Sequence, residues 1–303
     1  MNPPRTSSAT TVSATGPGPR PPLPGTGVEA VWLSAQQSPA TQRRGRYRPE
    51  STAHPAKMLP AIAAHAIATY TAPGQLVLDP MCGIGTTCVE ALRADRATVG
   101  VEYEARWAEV AAANLALARE HGHTADGQIV RGDARQLTGL LPEQCRGQVA
   151  LIVTSPPYGP STHGHISRDA QARIRKLNHR YGSPLDRGNL ANVGHHRLLA
   201  GFTRILTAAA AFLRPGGHVV ITVRPWREHG ELIDLPSQIT ACAQAAGLTL
   251  VDRAVALLGR IDHDGQLIAR GSFFQRDFIT KQRRAGLPLH LITHEDVLIL
   301  QRR

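Results

Sequence analysis

The chain is poor in aromatic residues, which make up 4% of its 303 positions, and it contains only three lysines, Lys57, Lys176 and Lys281. Its four cysteines, Cys82, Cys88, Cys145 and Cys242, form no C-x-x-C pair. That argues against a zinc module or a disulfide framework. The histidine pairs His121/His123 and His163/His165 have no neighbouring cysteine and no helically spaced partner, so no metal site is expected. No apolar run approaches the roughly 20 residues of a membrane span, and the start of the sequence lacks a hydrophobic signal core. A soluble, cytoplasmic protein without membrane association is expected. What is abundant is positive charge: 34 Lys and Arg stand against 23 Asp and Glu, for a formal net charge of +11. Such an excess favours an anionic partner, nucleic acid first. A hydrophobic content of 42% is enough for a sizeable core and excludes full disorder.

Residues 1–27 hold seven Pro, four Gly, three Ser and five Thr, a composition that cannot bury enough surface to fold. Residues 28–53 read as a transition with a basic cluster at Arg43, Arg44, Arg46 and Arg48. Residues 1–53 are thus expected to be a disordered tail and basic linker, and 54–303 a catalytic domain. From there helical and strand periodicities alternate. Helices are predicted over 55–70, 86–95, 105–120, 196–213 and 236–246. Strands are predicted over 76–78, 97–101, 128–130, 149–153, 218–223, 249–258 and 296–300. Residues 260–288 read as basic and partly helical. This alternation predicts an α/β doubly wound, mostly parallel sheet with helices on both faces. In such sheets ligands sit at the carboxyl ends of the strands, and the informative motifs fall there.

The first motif is Asp79-Pro80-Met81-Cys82-Gly83-Ile84-Gly85-Thr86-Thr87. Two glycines let the backbone approach a ligand, and the following helix N-terminus offers free N–H groups. No Gly-Lys-Ser/Thr follows, so it is not a P-loop, and Cys88 takes the third glycine position of a full G-x-G-x-x-G. At the end of the next strand Glu102 is placed to hold two ribose hydroxyls. In Gly132-Asp133-Ala134, Asp133 is placed to accept from an adenine amino group. Each of these segments taken alone also suits an ordinary turn or strand end. The fourth motif is Ser155-Pro156-Pro157-Tyr158. Two prolines fix the backbone and remove two donors, which leaves carbonyls free to accept. A Ser hydroxyl, a carbonyl and an aromatic face suit a flat heterocycle with an exocyclic NH2. A rigid Pro-Pro turn with a packed Tyr fits the same four residues.

The order and spacing of these motifs resemble the class I S-adenosylmethionine-dependent amino-methyltransferases of nucleic acids. In that family D-P-x-x-G-x-G-T binds the methionine part of the cofactor, a later acid binds ribose, and [S/D/N]-P-P-[Y/F/W] holds the target amine. The segment His54-Pro55-Ala56-Lys57-Met58-Leu59-Pro60 is similar to the H-P-x-K-x-P start of bacterial DNA amino-methyltransferases. The resemblance covers about residues 54–300 and implies a Rossmann-like, seven-stranded fold. It implies S-adenosyl-L-methionine as cofactor, held by His54, Pro55, Lys57, Asp79, Pro80, Cys82, Gly83, Gly85, Thr86, Thr87, Glu102, Asp133 and Ala134. It implies Ser155, Pro156, Pro157 and Tyr158 as the catalytic group. The serine resembles the cytosine-N4 subgroup, whereas adenine-N6 enzymes more often carry Asp. No Cys follows a Pro, so the cytosine-C5 chemistry of a Pro-Cys nucleophile is excluded. The implied mechanism is direct transfer to a flipped-out base.

The charge is unevenly placed. Residues 58–158 carry a net −3, whereas 1–57 and 159–198 carry +5 each and 260–303 carry +3. A uniform Arg bias would not leave the cofactor half acidic. The insert 159–198, with Arg168, Arg173, Arg175, Lys176, Arg180 and Arg187, is read as a loop that contacts phosphates over the active-site mouth. Arg276, Lys281, Arg283 and Arg284 suit a second contact patch. Restriction-linked members of the family usually carry a sizeable recognition domain, and only the insert is available here. The alternatives are adenine-N6 of DNA and RNA, as in the tRNA guanine-N2 methyltransferases. Those usually carry a large N-terminal RNA-binding domain, and the short Pro-rich N-terminal segment favours DNA.

Overall fold

A computed structural model describes residues 29–157, 165–168, 174–177, 186, 188–228, 231–270 and 273–302. Of 165–168, 174–177, 227–228 and 273–275 it describes the backbone alone. The expected tail 1–27, Tyr158, Arg173, Arg180 and Arg187 lie outside the described residues.

The chain enters as a short strand β1 (Val31–Trp32) and a helix α1 (Pro39–Arg43). A 3-10 turn, Pro49–Ala53, leads to helix α2 (Pro60–Tyr70). The alternation then runs β2 (Leu76–Asp79), α3 (Thr86–Arg93), β3 (Ala97–Glu102), α4 (Ala105–Glu120) and β4 (Gly127–Arg131). It continues with a short α5 (Leu137–Leu140) and β5 (Val149–Thr154). The insert contributes a hairpin, β6 (His165–Arg168) and β7 (Ile174–Leu177). After it come α6 (His195–Ala210), β8 (Leu213–Val223), the small hairpin β9 (Trp226–Glu228) and β10 (Glu231–Ile233), and α7 (Leu235–Ala245). The chain closes with β11 (Thr249–Leu257), the hairpin β12 (Gly259–Ile261) and β13 (Leu267–Ala269), α8 (Phe273–Arg284) and β14 (His294–Gln301).

The main sheet has the order β4-β3-β2-β5-β8-β14-β11-β1. All neighbours are parallel except β14, which runs antiparallel to both β8 and β11. The chain winds outward from β2 to β4, then returns to β5 and winds the other way. The reversal lies between β2 and β5, so the crevice falls at their carboxyl ends. This is the expected mostly parallel, Rossmann-like sheet, with β1 added as an eighth strand at one edge.

Both sheet faces are covered, and the strands show it by strict alternation. Leu78, Ile152, Val219, Ile221, Leu298 and Leu300 share one core cluster with Phe202, Ile205 and Ile239 of α6 and α7. Their neighbours Val77, Leu151, Val153, Val220, Val297 and Ile299 turn to the other face, against Ile62, Ala66 and Ile67 of α2 and Trp32 of β1.

Two sequence expectations are corrected here. Helix α2 starts at Pro60, not at Pro55. Leu59 is held extended at ψ 133 by the proline after it, and the proline then occupies the first helical turn. Residues 29–53, read as a linker, fold onto the domain. Gln42 is buried; its Nε2 donates to the Ser34 carbonyl at 2.9 Å, and its Oε1 accepts from Ala61 N–H at 3.0 Å. Tyr47 donates to the buried Glu90 at 2.8 Å, and Arg46 pairs with the same carboxylate at 2.9 Å. Because α3 must be buried on both sides, its single acid needs these partners, and the partners come from the segment before the domain.

Asn114 on α4 ties three elements together and is fully buried. Its Nδ2 donates to Ser51 Oγ at 2.9 Å and to the Ile84 carbonyl at 2.8 Å; its Oδ1 accepts from Arg48 N–H at 2.7 Å. Replacement by leucine, similar in size, leaves buried backbone groups unpaired, each worth about 1–3 kcal/mol. We expect Asn114→Leu to lower unfolding stability by about 2–4 kcal/mol in urea titrations, against less than about 1 kcal/mol for a surface change such as Glu109→Gln.

Candidate active site

A cavity of about 460 Å³ opens at the carboxyl ends of the central strands. It is lined by Asp79, Pro80, Cys82, Gly83, Thr86 and Thr87 after β2, by Glu102 and Tyr103 after β3, and by Asp133 and Ala134 after β4. Ser155, Pro156 and Pro157, which follow β5, line the same cavity. So do His54, Pro55 and Lys57 from the extended segment before α2. Residues far apart in sequence thus meet because parallel strands all end at one edge.

The glycine-rich turn is built from the backbone up. Gly83 and Gly85 have φ of +53 and +78, a region costly for residues with a Cβ. A Cβ on Gly83 would stand 3.0 Å from Nε2 of the buried His54, so the histidine lies directly against the turn. That imidazole packs edge-on to Trp107, with ring centroids 4.6 Å apart, and its Nδ1 accepts from Ala56 N–H at 3.2 Å. Gly85 differs from the expectation: it does not line the cavity. A Cβ there would meet Cβ of Ala111 on α4 at 3.2 Å, so this glycine serves helix packing and the left-handed entry to α3.

Two buried carboxylates hold the turn. Glu102 accepts from Gly83 N–H at 2.8 Å and from Glu104 N–H at 2.9 Å. Asp79 accepts from the Thr87 hydroxyl at 2.7 Å and from Met81 N–H at 3.1 Å. Burial raises the Asp79 pKa to about 6, against these hydrogen bonds, which lower it. Lys57 donates to the His54 carbonyl at 2.5 Å and to the Thr52 carbonyl at 3.1 Å, so it braces its own segment. Burial and then the neighbouring Arg43 bring its pKa down to about 8.

Asp133 lines the cavity, but its carboxylate is engaged within its own turn. Arg135 grips it bidentately, with contacts of 2.8 and 2.6 Å, and Arg135 N–H adds a bond at 2.9 Å. Burial alone would raise its pKa; these bonds outweigh it and hold the carboxyl below its ordinary value. Both oxygens are therefore taken up in the turn. Arg135 also donates to the Gly188 carbonyl at 2.8 Å, and the buried Asn189 donates to Glu104 at 2.6 Å. The returning end of the insert is thereby fastened to the ends of β3 and β4.

Of the residues assigned to phosphate contact, Arg168, Arg175 and Lys176 fall on the β6–β7 hairpin, with Ser167 opposite Arg175 and Ile166 opposite Lys176. A paired ribbon replaces the expected loop. Sequence reasoning missed several cavity-lining residues: Arg43 and Ala35 from the presumed linker, Asn189, and Thr222, Arg224 and Glu295 from β8 and β14. No motif marks them. They are single residues from separate elements, and only the tertiary structure brings them to this edge.

The raised Asp79 pKa carries a stability consequence. An acid whose folded pKa exceeds its unfolded value binds extra protons when folded, so stability declines as pH rises between the two values. For a shift from 3.8 to about 6 the loss is on the order of 3 kcal/mol, complete above about pH 6. Asp79→Asn, which keeps an acceptor for Thr87, should lack this decline. The stability difference between variant and wild type should therefore grow from about pH 4 to pH 6 and stay level above, measured by urea unfolding across that range.

Residues 24–113 match the family model described as DNA methylase. A tRNA (guanine(10)-N2)-dimethyltransferase of Methanothermobacter thermautotrophicus is 38% identical over 88 residues, which are 29% of this chain and 23% of that protein. The enzyme of the same name from Methanocaldococcus jannaschii is 34% identical over 112 residues, 36% of this chain and 31% of that protein. The chain thus spans less than a third of the length of these curated relatives. Among solved structures, a methyltransferase from Pyrococcus furiosus aligns with a TM-score of 0.44 at 14% identity, covering 81% of this chain and 83% of that one. The [4+2]-cyclase SpnF aligns with a TM-score of 0.46 at 15% identity, covering 80% of each chain. The stretch that matches the DNA methylase model, residues 24–113, carries the glycine-rich turn, Glu102 and the segment pinned against them.

Proposed function

We propose that this protein transfers a methyl group from S-adenosylmethionine to the exocyclic amine of a nucleobase, with cytosine-N4 of DNA as the target. One observation carries the reading: the acid-lined turn after β2 and the Ser155-Pro156-Pro157 turn after β5 share one cavity. The residues present suit the cofactor. The cavity is of a size that takes small ligands, typically about 300–1000 Å³. Its β2–β3 side presents two buried carboxyls, Asp79 and Glu102, which favour a cationic ligand. His54 packs so closely on Gly83 that a Cβ there would press on its imidazole. When bound, the cofactor supplies a methyl group on a cationic sulfur.

The chain's own residues do the rest. Pro156 and Pro157 fix the turn that follows β5. The Ser155 hydroxyl and the Pro156 carbonyl accept the two hydrogens of the target amine. These bonds draw the nitrogen lone pair out of conjugation and aim it into the cavity, so geometry provides most of the acceleration. A base in a duplex cannot reach this depth, so it must leave the stack. The acceptor nucleic acid would meet the basic insert, whose returning end is fastened beside the cofactor half.

A second reading is methylation of guanine-N2 in tRNA, favoured by the activity named for the two archaeal relatives. Labelled methyl transfer to bulk duplex DNA and to bulk tRNA, followed by nucleoside analysis, separates them. Label in N4-methylcytosine is expected; label confined to tRNA guanosine overturns the DNA reading. We further expect Ser155→Ala to lower kcat about 10²–10³-fold with cofactor affinity by calorimetry within about twofold of wild type. Asp79→Ala should weaken cofactor binding first. Equal loss of cofactor affinity in Ser155→Ala contradicts this division of roles.

A further inference from the structure

The cavity extends to both sides of β5. Asp79, Glu102 and Asp133 follow β2, β3 and β4, on one side. On the other side lie Thr222 at the end of β8 with Arg224 just after it, Leu258 after β11, and Glu295 at the start of β14 with Ile292 just before it. Because β14 runs antiparallel, it delivers its beginning to the edge where the parallel strands end. Ser155-Pro156-Pro157 stands between the two lobes. Among the described residues of the second lobe, Glu295 is the one carboxyl.

We propose that this second lobe receives the target base and that Glu295 reads its Watson–Crick edge, donating a hydrogen bond to the ring nitrogen beside the methylated amine. The inference rests on the methyl-transfer reading above. A base whose amine is held at Ser155 presents the neighbouring ring atom to the next strands over, β8 and β14. On the Watson–Crick edge that atom is N3 in cytosine and N1 in adenine, both acceptors; in guanine it is N1–H, a donor, with the acceptor N3 flanking N2 on the opposite edge. A neutral carboxylic acid donates, whereas a carboxylate only accepts. The protonation state of Glu295 therefore separates cytosine or adenine from guanine.

The surroundings of Glu295 favour the neutral form more than water does. Burial pushes its pKa above the ordinary value, while Arg224, the Thr222 hydroxyl and His294 act the other way. Among the described residues, Arg224 after β8 and His294 on β14 are the charged or titratable groups that act on it. The turn after β5 is neutral, and Leu258 after β11 is apolar. A ring nitrogen accepting from the acid favours the protonated form further. The proton stays on Glu295 throughout; no transfer is required of it.

The test compares wild type, Glu295→Gln and Glu295→Leu, with unmodified duplex DNA as acceptor and saturating S-adenosylmethionine. KM for DNA and cofactor affinity are measured from about pH 5.5 to 8.5. In wild type, KM should rise with pH above the Glu295 pKa, approaching about tenfold per unit. Glu295→Gln, whose amide donates at every pH, should keep a low KM with a flat profile. Glu295→Leu should raise KM at least about tenfold with cofactor affinity unchanged. The proposal is overturned if Glu295→Leu leaves KM as in wild type, or if Glu295→Gln is as impaired as Glu295→Leu. It also falls if either variant loses cofactor affinity to the same degree as DNA affinity. Absence of methyl transfer by wild type to any nucleic acid would instead sink the methyl-transfer reading itself.

Discussion

The site depends on one buried carboxylate. Glu102 ends β3 and accepts from Gly83 N–H on the neighbouring turn and from Glu104 N–H on its own. A left-handed turn has no ladder to satisfy its amides, and an unpaired buried N–H costs about 1–3 kcal/mol. Glu102 supplies the missing acceptor and fixes the distance between the ends of β2 and β3. Each of its oxygens accepts one backbone bond and keeps further lone-pair capacity. The same carboxylate can therefore hold the turn and still face a ligand. Asp79 does the corresponding work on the other flank, joining the strand end to Thr87 at the head of α3.

The wall around this turn comes from a part of the chain that composition made look peripheral. His54 lies against Gly83, and Asn114 binds residues 48 and 51 to the carbonyl of Ile84 within the turn. Arg46 pairs with the buried Glu90 of α3 and Tyr47 donates to it, beside the longer contact from Arg93 of the same helix. The β2–β4 half of the site is thus completed by tertiary contacts from residues preceding the first long helix. The other end of the site is completed by β14. An antiparallel strand among parallel ones brings His294 and Glu295 to an edge that a parallel strand would furnish with its last residues.

The alternation of strands and helices was legible because each central strand is apolar on both faces and each helix is bounded by Gly, Pro or a charge. Helix α4 was read with its observed limits, since nothing near it interrupts the 3.6-residue period. The start of α2 was misread because two prolines, Pro55 and Pro60, both suit a first turn, and local propensity does not choose between them. The pairing of β6 with β7 and the presence of β1 were not legible: both strands of the hairpin are short and polar, and β1 has two residues whose pairing with β11 is purely tertiary.

By itself the sequence determined the order of the central strands and long helices, the turn after β2 and the Ser-Pro-Pro turn after β5, because glycines, prolines and strand periodicity act over a few residues. Only the tertiary structure decided what those turns meet. Gly85 packs a helix while Gly83 lies against His54 and lines the cavity. Asp133 is spent on Arg135, and Glu295 faces the same cavity as Ser155. A side chain's neighbours are set by strand order and direction, and those follow from how both faces of the whole sheet are covered, which no local window contains.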